Sequence, residues 1–198
     1  MKMRLIVVGL ALALSGCSSV GSMTRTVGGW FSSGPAKAKP AELVEFNPSA
    51  SLTEAWKGET GDASGHLLRP QAEGDDVFAA GGSRVVRIAV PTGNTVWKTD
   101  TEAKLSAGAG VGQGMVLAGG GKGELLALDL GSGQVRWKVA LSSEVTGQLW
   151  AVADTVIARS GDGRVHGLAA ADGSRKWLDT RTLPALSLRG SGGMVVRD

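Results

Sequence analysis

The chain has 198 residues, with 31 glycines, six tryptophans and no tyrosine, a turn-rich composition that sets aside long helical bundles in favour of an all-β protein. Its 21 Lys and Arg face 18 Asp and Glu, a formal charge of +3. Without Lys2 and Arg4 of the N-terminal segment the count is 19 against 18, and no cationic stripe interleaved with aromatics is left, so the composition argues against a nucleic-acid partner.

In chain order, residues 1–16 read as a signal peptide. Lys2 and Arg4 open it, ten apolar or small residues from Leu5 to Leu14 follow, and Ser15-Gly16 precede Cys17. The apolar run is about half the length needed to cross a bilayer and has the pattern of a cleaved secretory signal. Leu14-Ser15-Gly16-Cys17 resembles the lipobox of bacterial lipoproteins. That resemblance implies cleavage before Cys17, acylation of its sulfur and amino group, and a lipid anchor. The alternative is an ordinary signal with an incidental cysteine. Cys17 is the only cysteine, so no intramolecular disulfide is available. Ser18 in place of Asp implies, by the same resemblance, delivery to the outer membrane.

Residues 17–50 read as a tether rich in Ser, Gly, Ala and Pro, broken at Pro35, Pro40 and Pro48. Trp30-Phe31 is an isolated apolar pair within it, read as a sticky spot or as a small docking anchor.

The folded part is expected over 51–198 and carries a repeat. Gly93, Gly133 and Gly173 are spaced by 40 residues, as are Trp97, Trp137 and Trp177. A period of about 40 residues is the length of one four-stranded propeller blade. Each unit predicts a strand, a turn at the glycine and a second strand ending in Trp. The units are 84–97, 124–137 and 164–177, with short apolar runs at 77–79, 115–117 and 156–158 preceding them. Gly tolerates the positive φ of such a turn, and Trp suits a seam between stacked sheets. Leu52-Thr53-Glu54-Ala55-Trp56-Lys57 resembles a further Trp-strand, from a unit that is only partial, and Met194-Val195-Val196 is expected to open another strand. Three blades and two fragments cannot close a ring, so the chain is expected to be the N-terminal part of a longer reading frame.

A catalytic centre is hard to assemble from these residues. His66 falls in a loop and His166 inside a strand, and neither has a His, Cys or paired carboxylate at ligand spacing. Each is read as a surface or seam histidine. Gly119-Gly120-Gly121-Lys122-Gly123 lacks the ending of a phosphate loop and reads as a hairpin turn. No cofactor or metal is expected.

Two resemblances bear on function. Leu125-Leu126-Ala127-Leu128-Asp129 through Trp137 is similar to the repeat of the pyrroloquinoline-quinone dehydrogenases. The residues matched are structural in that family, and Ala89 and Ala169 replace the Asp in the other two copies. The lipobox, tether, Ala55-Trp56 strand, repeats and Leu183-Pro184-Ala185-Leu186-Ser187-Leu188-Arg189-Gly190 together resemble the BamB family, propeller lipoproteins of the outer-membrane β-barrel assembly machinery. This second resemblance implies a ring of eight blades and a non-enzymatic scaffold that helps outer-membrane proteins fold and insert. It also implies binding to the periplasmic POTRA region of BamA through Leu186, Leu188 and Arg189. Taken alone, the loop offers two apolar anchors and a planar donor; the alternative buries both leucines in the next blade's inner strand. The rival function is a quinone-dependent dehydrogenase on the same fold, because fold alone does not choose between them.

Overall fold

The structure, a computed structural model, describes residues 41–45, 48–182 and 194–196. Contacts divide the chain at Ser51/Leu52, and everything below concerns the second unit, Leu52–Asp198. Among the described residues, twelve strands form three four-stranded antiparallel sheets, each a simple meander. The first holds β1 (Gln71–Glu73), β2 (Asp76–Gly81), β3 (Arg84–Ala89) and β4 (Thr95–Asp100). The second holds β5 (Leu105–Gly112), β6 (Met115–Gly120), β7 (Glu124–Asp129) and β8 (Val135–Ala140). The third holds β9 (Val145–Val152), β10 (Thr155–Ser160), β11 (Arg164–Ala169) and β12 (Arg175–Thr180). These are the blades that the 40-residue period predicts, and the glycine run at 119–123 ends β6 and turns into β7.

The strand period of two sends alternate side chains to opposite faces, and the middle blade buries both. Met115, Leu117, Leu125, Ala127 and Trp137 join Val145, Leu149, Ala151, Val156, Ala158 and Leu168 in one core. Val116, Ala118, Leu126 and Leu128 point the other way and meet Phe78, Ala80 and Val85 in a second. Each core lies in the seam between two blades, so no blade owns its own interior. The outward face of the first blade carries Ala79, Val86 and Ile88, against which Trp56 packs. The β5 and β9 strands run close together. A Cβ at Gly112 would stand 2.5 Å from the Ala151 carbonyl oxygen, and one at Gly110 would overlap that of Leu149. Glycine there lets the two backbones approach.

Each blade repeats one irregularity. Pairing shifts between Arg87 and Ile88, between Ala127 and Leu128, and between Gly167 and Leu168. The shift leaves Val96, Arg136 or Lys176 without an opposite residue, and such a bulge sharpens the twist of the outer strand beside the tryptophan.

Two expected strands differ. Residues 51–70 contain no strand, although Trp56 takes the seam position foreseen for it. A ladder needs a neighbouring strand, and none of the described strands pairs with that segment. Residues 194–196 are likewise outside any strand, with Val195 exposed.

Candidate functional site: the blade seams and the exit of the third blade

The seams are built by a repeated pairing of one blade's tryptophan with the next blade's glycine turn. Trp56 donates its indole N–H to the Val90 carbonyl at 2.7 Å, Trp97 to Leu130 at 3.0 Å and Trp137 to Ala170 at 2.9 Å. Gly93, Gly133 and Gly173 have φ of +70°, +72° and +75°, the left-handed conformation the turn requires. They also lie under those rings: a Cβ would come within 2.6 Å of Trp56, 2.6 Å of Trp97 and 2.8 Å of Trp137. Glycine is therefore required twice over, by its own dihedral and by the tryptophan of the preceding unit. Trp177 is 42% exposed, against 8% for Trp137, and no described glycine turn receives it; its ring folds over Gly167 of its own sheet.

The turn of the middle blade carries an additional clamp. One oxygen of Asp129 accepts from the Gly131 and Ser132 amides at 3.1 and 2.8 Å, and the other pairs with Arg136 at 2.6 Å. The Arg136 guanidinium and the Ser132 donors hold the Asp129 carboxyl far below the usual carboxylate range. With Ala89 and Ala169 at the same register, the other turns rely on backbone bonds, Gly93 and Gly173 donating to Ala89 and Ala169 at 2.8 Å. Asp172 adds a bond from the Ser174 amide at 2.8 Å.

Both histidines have neighbours. His66 lies in the segment before β1, its Nδ1 3.6 Å from a Glu144 carboxylate oxygen. His166 is buried at 6% exposure in the seam between the second and third blades, with its Nε2 2.9 Å from Ser160 Oγ. Ser160 in turn donates to Asp162 at 2.5 Å, and Asp162 pairs with Arg164 at 3.0 Å. Burial, reinforced by the Arg164 and Arg175 charges, pushes the His166 imidazole below its ordinary value although Asp162 opposes it. The serine here stands between the acid and the imidazole. This order holds a buried polar network together. Among the described residues no three His, Cys, Asp or Glu side chains gather as a metal site would require. No helix among them is long and apolar enough to cross a membrane.

Leu186, Leu188, Arg189 and Cys17 lie outside the described residues. What the structure does define is the point from which the 183–190 segment departs. Residues 101–104 and 141–144 link one blade's outermost strand to the next blade's innermost strand, and Arg181 occupies the same place after β12. Its amide donates to the Gly163 carbonyl at 3.3 Å, as Leu141 does to Gly123 at 2.8 Å and Thr101 to Ser83 at 2.7 Å. Forty residues before Leu186, Leu188 and Arg189 stand Thr146, Gln148 and Leu149 of β9, and eighty before stand Ser106, Gly108 and Ala109 of β5.

Residues 81–198 match the sequence profile of the family described as outer membrane protein assembly factor BamB. The chain belongs to the BamB family. Named BamB proteins from Bordetella pertussis and Nitrosomonas eutropha are 35% and 29% identical to it, over 94% and 98% of its length. The chain spans about half the length of these curated relatives, 46% and 48%. Among solved structures, BamB from Moraxella catarrhalis superposes with a TM-score of 0.58 at 25% identity, over 61% of this chain and 37% of that one. A europium-containing methanol dehydrogenase gives a TM-score of 0.52 at 21% identity, over 63% of this chain and 26% of that one; that likeness is one of fold.

Sequence reading had anticipated a tryptophan seam but not the carbonyl that each indole reaches. It had also not assigned the innermost strands. The signal for those was present as Gly110 and Gly112 in a small-residue run, which marks close backbone approach more than a strand.

Proposed function

We propose that this chain is the N-terminal part of a non-enzymatic, lipid-anchored scaffold of the outer-membrane β-barrel assembly machinery. Residues 1–16 are its signal peptide, Cys17 its lipidation site, residues 17–50 its tether, and residues 51–198 an incomplete propeller that faces the periplasm from the outer membrane. It binds the periplasmic POTRA region of BamA through Leu186, Leu188 and Arg189 and assists the folding and insertion of outer-membrane proteins. The observation that carries this reading is the family match over 81–198, together with relatives named as outer membrane protein assembly factors. The dehydrogenase reading rests on fold likeness alone.

A structural role competes with this assignment, because the positions forty and eighty residues before these three lie in β9 and β5. Arg189→Ala separates the two in a pull-down with the BamA periplasmic region, paired with a thermal melt of the same protein. A recognition residue loses binding with an almost unchanged melt, since an exposed Arg contributes little to folding. Normal binding, or a large drop in melting temperature, rejects the assignment.

A further inference from the structure

The seam between the second and third blades differs from the seam between the first and second in a way the repeat makes visible. Position by position at 40-residue spacing, Glu124 becomes Arg164, Leu126 becomes His166, Val135 becomes Arg175 and Lys138 becomes Leu178. Leu126 fills its seam as part of an apolar core, and Glu124 satisfies the Lys122 amide at 3.1 Å. The four replacements line a groove of about 370 Å³, within the range of small-molecule sites, roughly 300–1,000 Å³. The β8 side contributes Val139, Leu141 and Ser142; the β11–β12 side contributes Leu168 and Leu178 together with Arg164, His166 and Arg175.

The charges in this groove are unequally committed. Arg164 is paired with Asp162 at 3.0 Å, and Asp162 also takes the Ser160 hydroxyl. The buried His166 is held towards its neutral form. The Arg175 guanidinium makes no hydrogen bond or ion pair among the described residues. Its register partner in the previous blade is a valine, so the propeller's packing does not need a cation at this place. A guanidinium with an open fork among apolar side chains suits a planar carboxylate joined to a small hydrophobic body, because Arg binds carboxylates through two parallel N–H donors.

We propose that the groove between β8 and β11–β12 is a binding site for small organic carboxylates, with Arg175 taking the carboxylate and Leu168 and Leu178 the apolar body. The site is separate from Leu186, Leu188 and Arg189, and it stands or falls independently of the proposed scaffold function.

Sodium benzoate is the probe, titrated into the full chain by calorimetry and ligand-observed NMR, with acetate, benzylamine and inorganic phosphate as companions. Benzoate is expected to bind more tightly than acetate and phosphate, and benzylamine not to bind. Arg175→Val places there the residue the previous blade carries and should weaken benzoate at least tenfold with an unchanged melt. Arg175→Lys should lie between, because the charge stays and the fork is lost. Leu178→Ala should weaken benzoate and leave acetate as it was. Equal benzoate affinity in Arg175→Val and the unmodified protein overturns the proposal. So does phosphate binding as well as benzoate with no effect of Leu178→Ala, which would mark an ordinary exposed guanidinium.

Discussion

Replacing Gly133 by Ala tests the claim that the blades are joined through their turns. Gly133 has φ of +72°, and an alanine there sits in the left-handed region at about 1–2 kcal/mol. The new Cβ would also lie 2.6 Å from the Trp97 ring and 2.9 Å from Thr99 Oγ1, which donates to the Gly133 carbonyl at 2.7 Å. Trp97 is held by its bond to Leu130 and cannot retreat without giving that up. Overpacking of this kind costs about 1–3 kcal/mol, so Gly133→Ala should cost about 2–5 kcal/mol in all. Gly74 supplies the control, with φ of +59° and nothing within 4 Å of a built Cβ. Gly74→Ala should therefore cost only the backbone part, about 1–2 kcal/mol. Urea denaturation followed by tryptophan fluorescence, on the full chain, measures both. A double-mutant cycle sharpens the comparison: in a Trp97→Ala background only the Thr99 contact remains, and the cost of Gly133→Ala should fall towards the Gly74→Ala value. Equal costs for the two glycines, or a cost at Gly133 undiminished by removal of Trp97, would refute the seam argument.

Trp137→Ala should lower stability by about 3–5 kcal/mol through the cavity left over Gly173 and the lost bond to Ala170, read by the same denaturation assay. Trp177→Ala should cost clearly less, since that ring is far more exposed. The pH dependence should report His166. Its folded-state value lies below the ordinary 6.5, so the unfolded chain takes up the proton first and stability declines as pH falls below 6.5 towards the folded value. His166→Leu, which restores the residue of the preceding blade, should flatten that part of the stability–pH curve; an unchanged slope contradicts the buried assignment. Asp129 acts lower on the scale, its depressed value conferring stability above about pH 4 that is lost on further acidification. Asp129→Ala should remove that loss. Cys17→Ala should release the protein from the membrane fraction or leave its signal uncut; normal processing and retention would exclude the lipid anchor.

The sequence by itself determined the blades, and did so through spacing. Gly93, Gly133 and Gly173 with their tryptophans mark β3–β4, β7–β8 and β11–β12 as three copies of one hairpin, because a turn needing positive φ and a strand needing a seam residue recur at one interval. The strands β2, β6 and β10 were also legible as apolar runs. What only the tertiary structure decided is where those residues meet. The ring over Gly133 belongs to Trp97, 36 positions earlier, and nothing local to either residue announces the other. Alternation showed that Leu125 and Leu126 face opposite ways, but only stacking made both faces buried. His166 looks no different in sequence from an exposed strand residue; the blade beside it buries it, shifts its titration and gathers four positions that differ from the preceding repeat around one groove. The reason is the same in each case. Periodicity records what one strand needs from its own backbone, whereas burial and charge depend on the neighbouring sheet, whose contribution comes from residues a full repeat away.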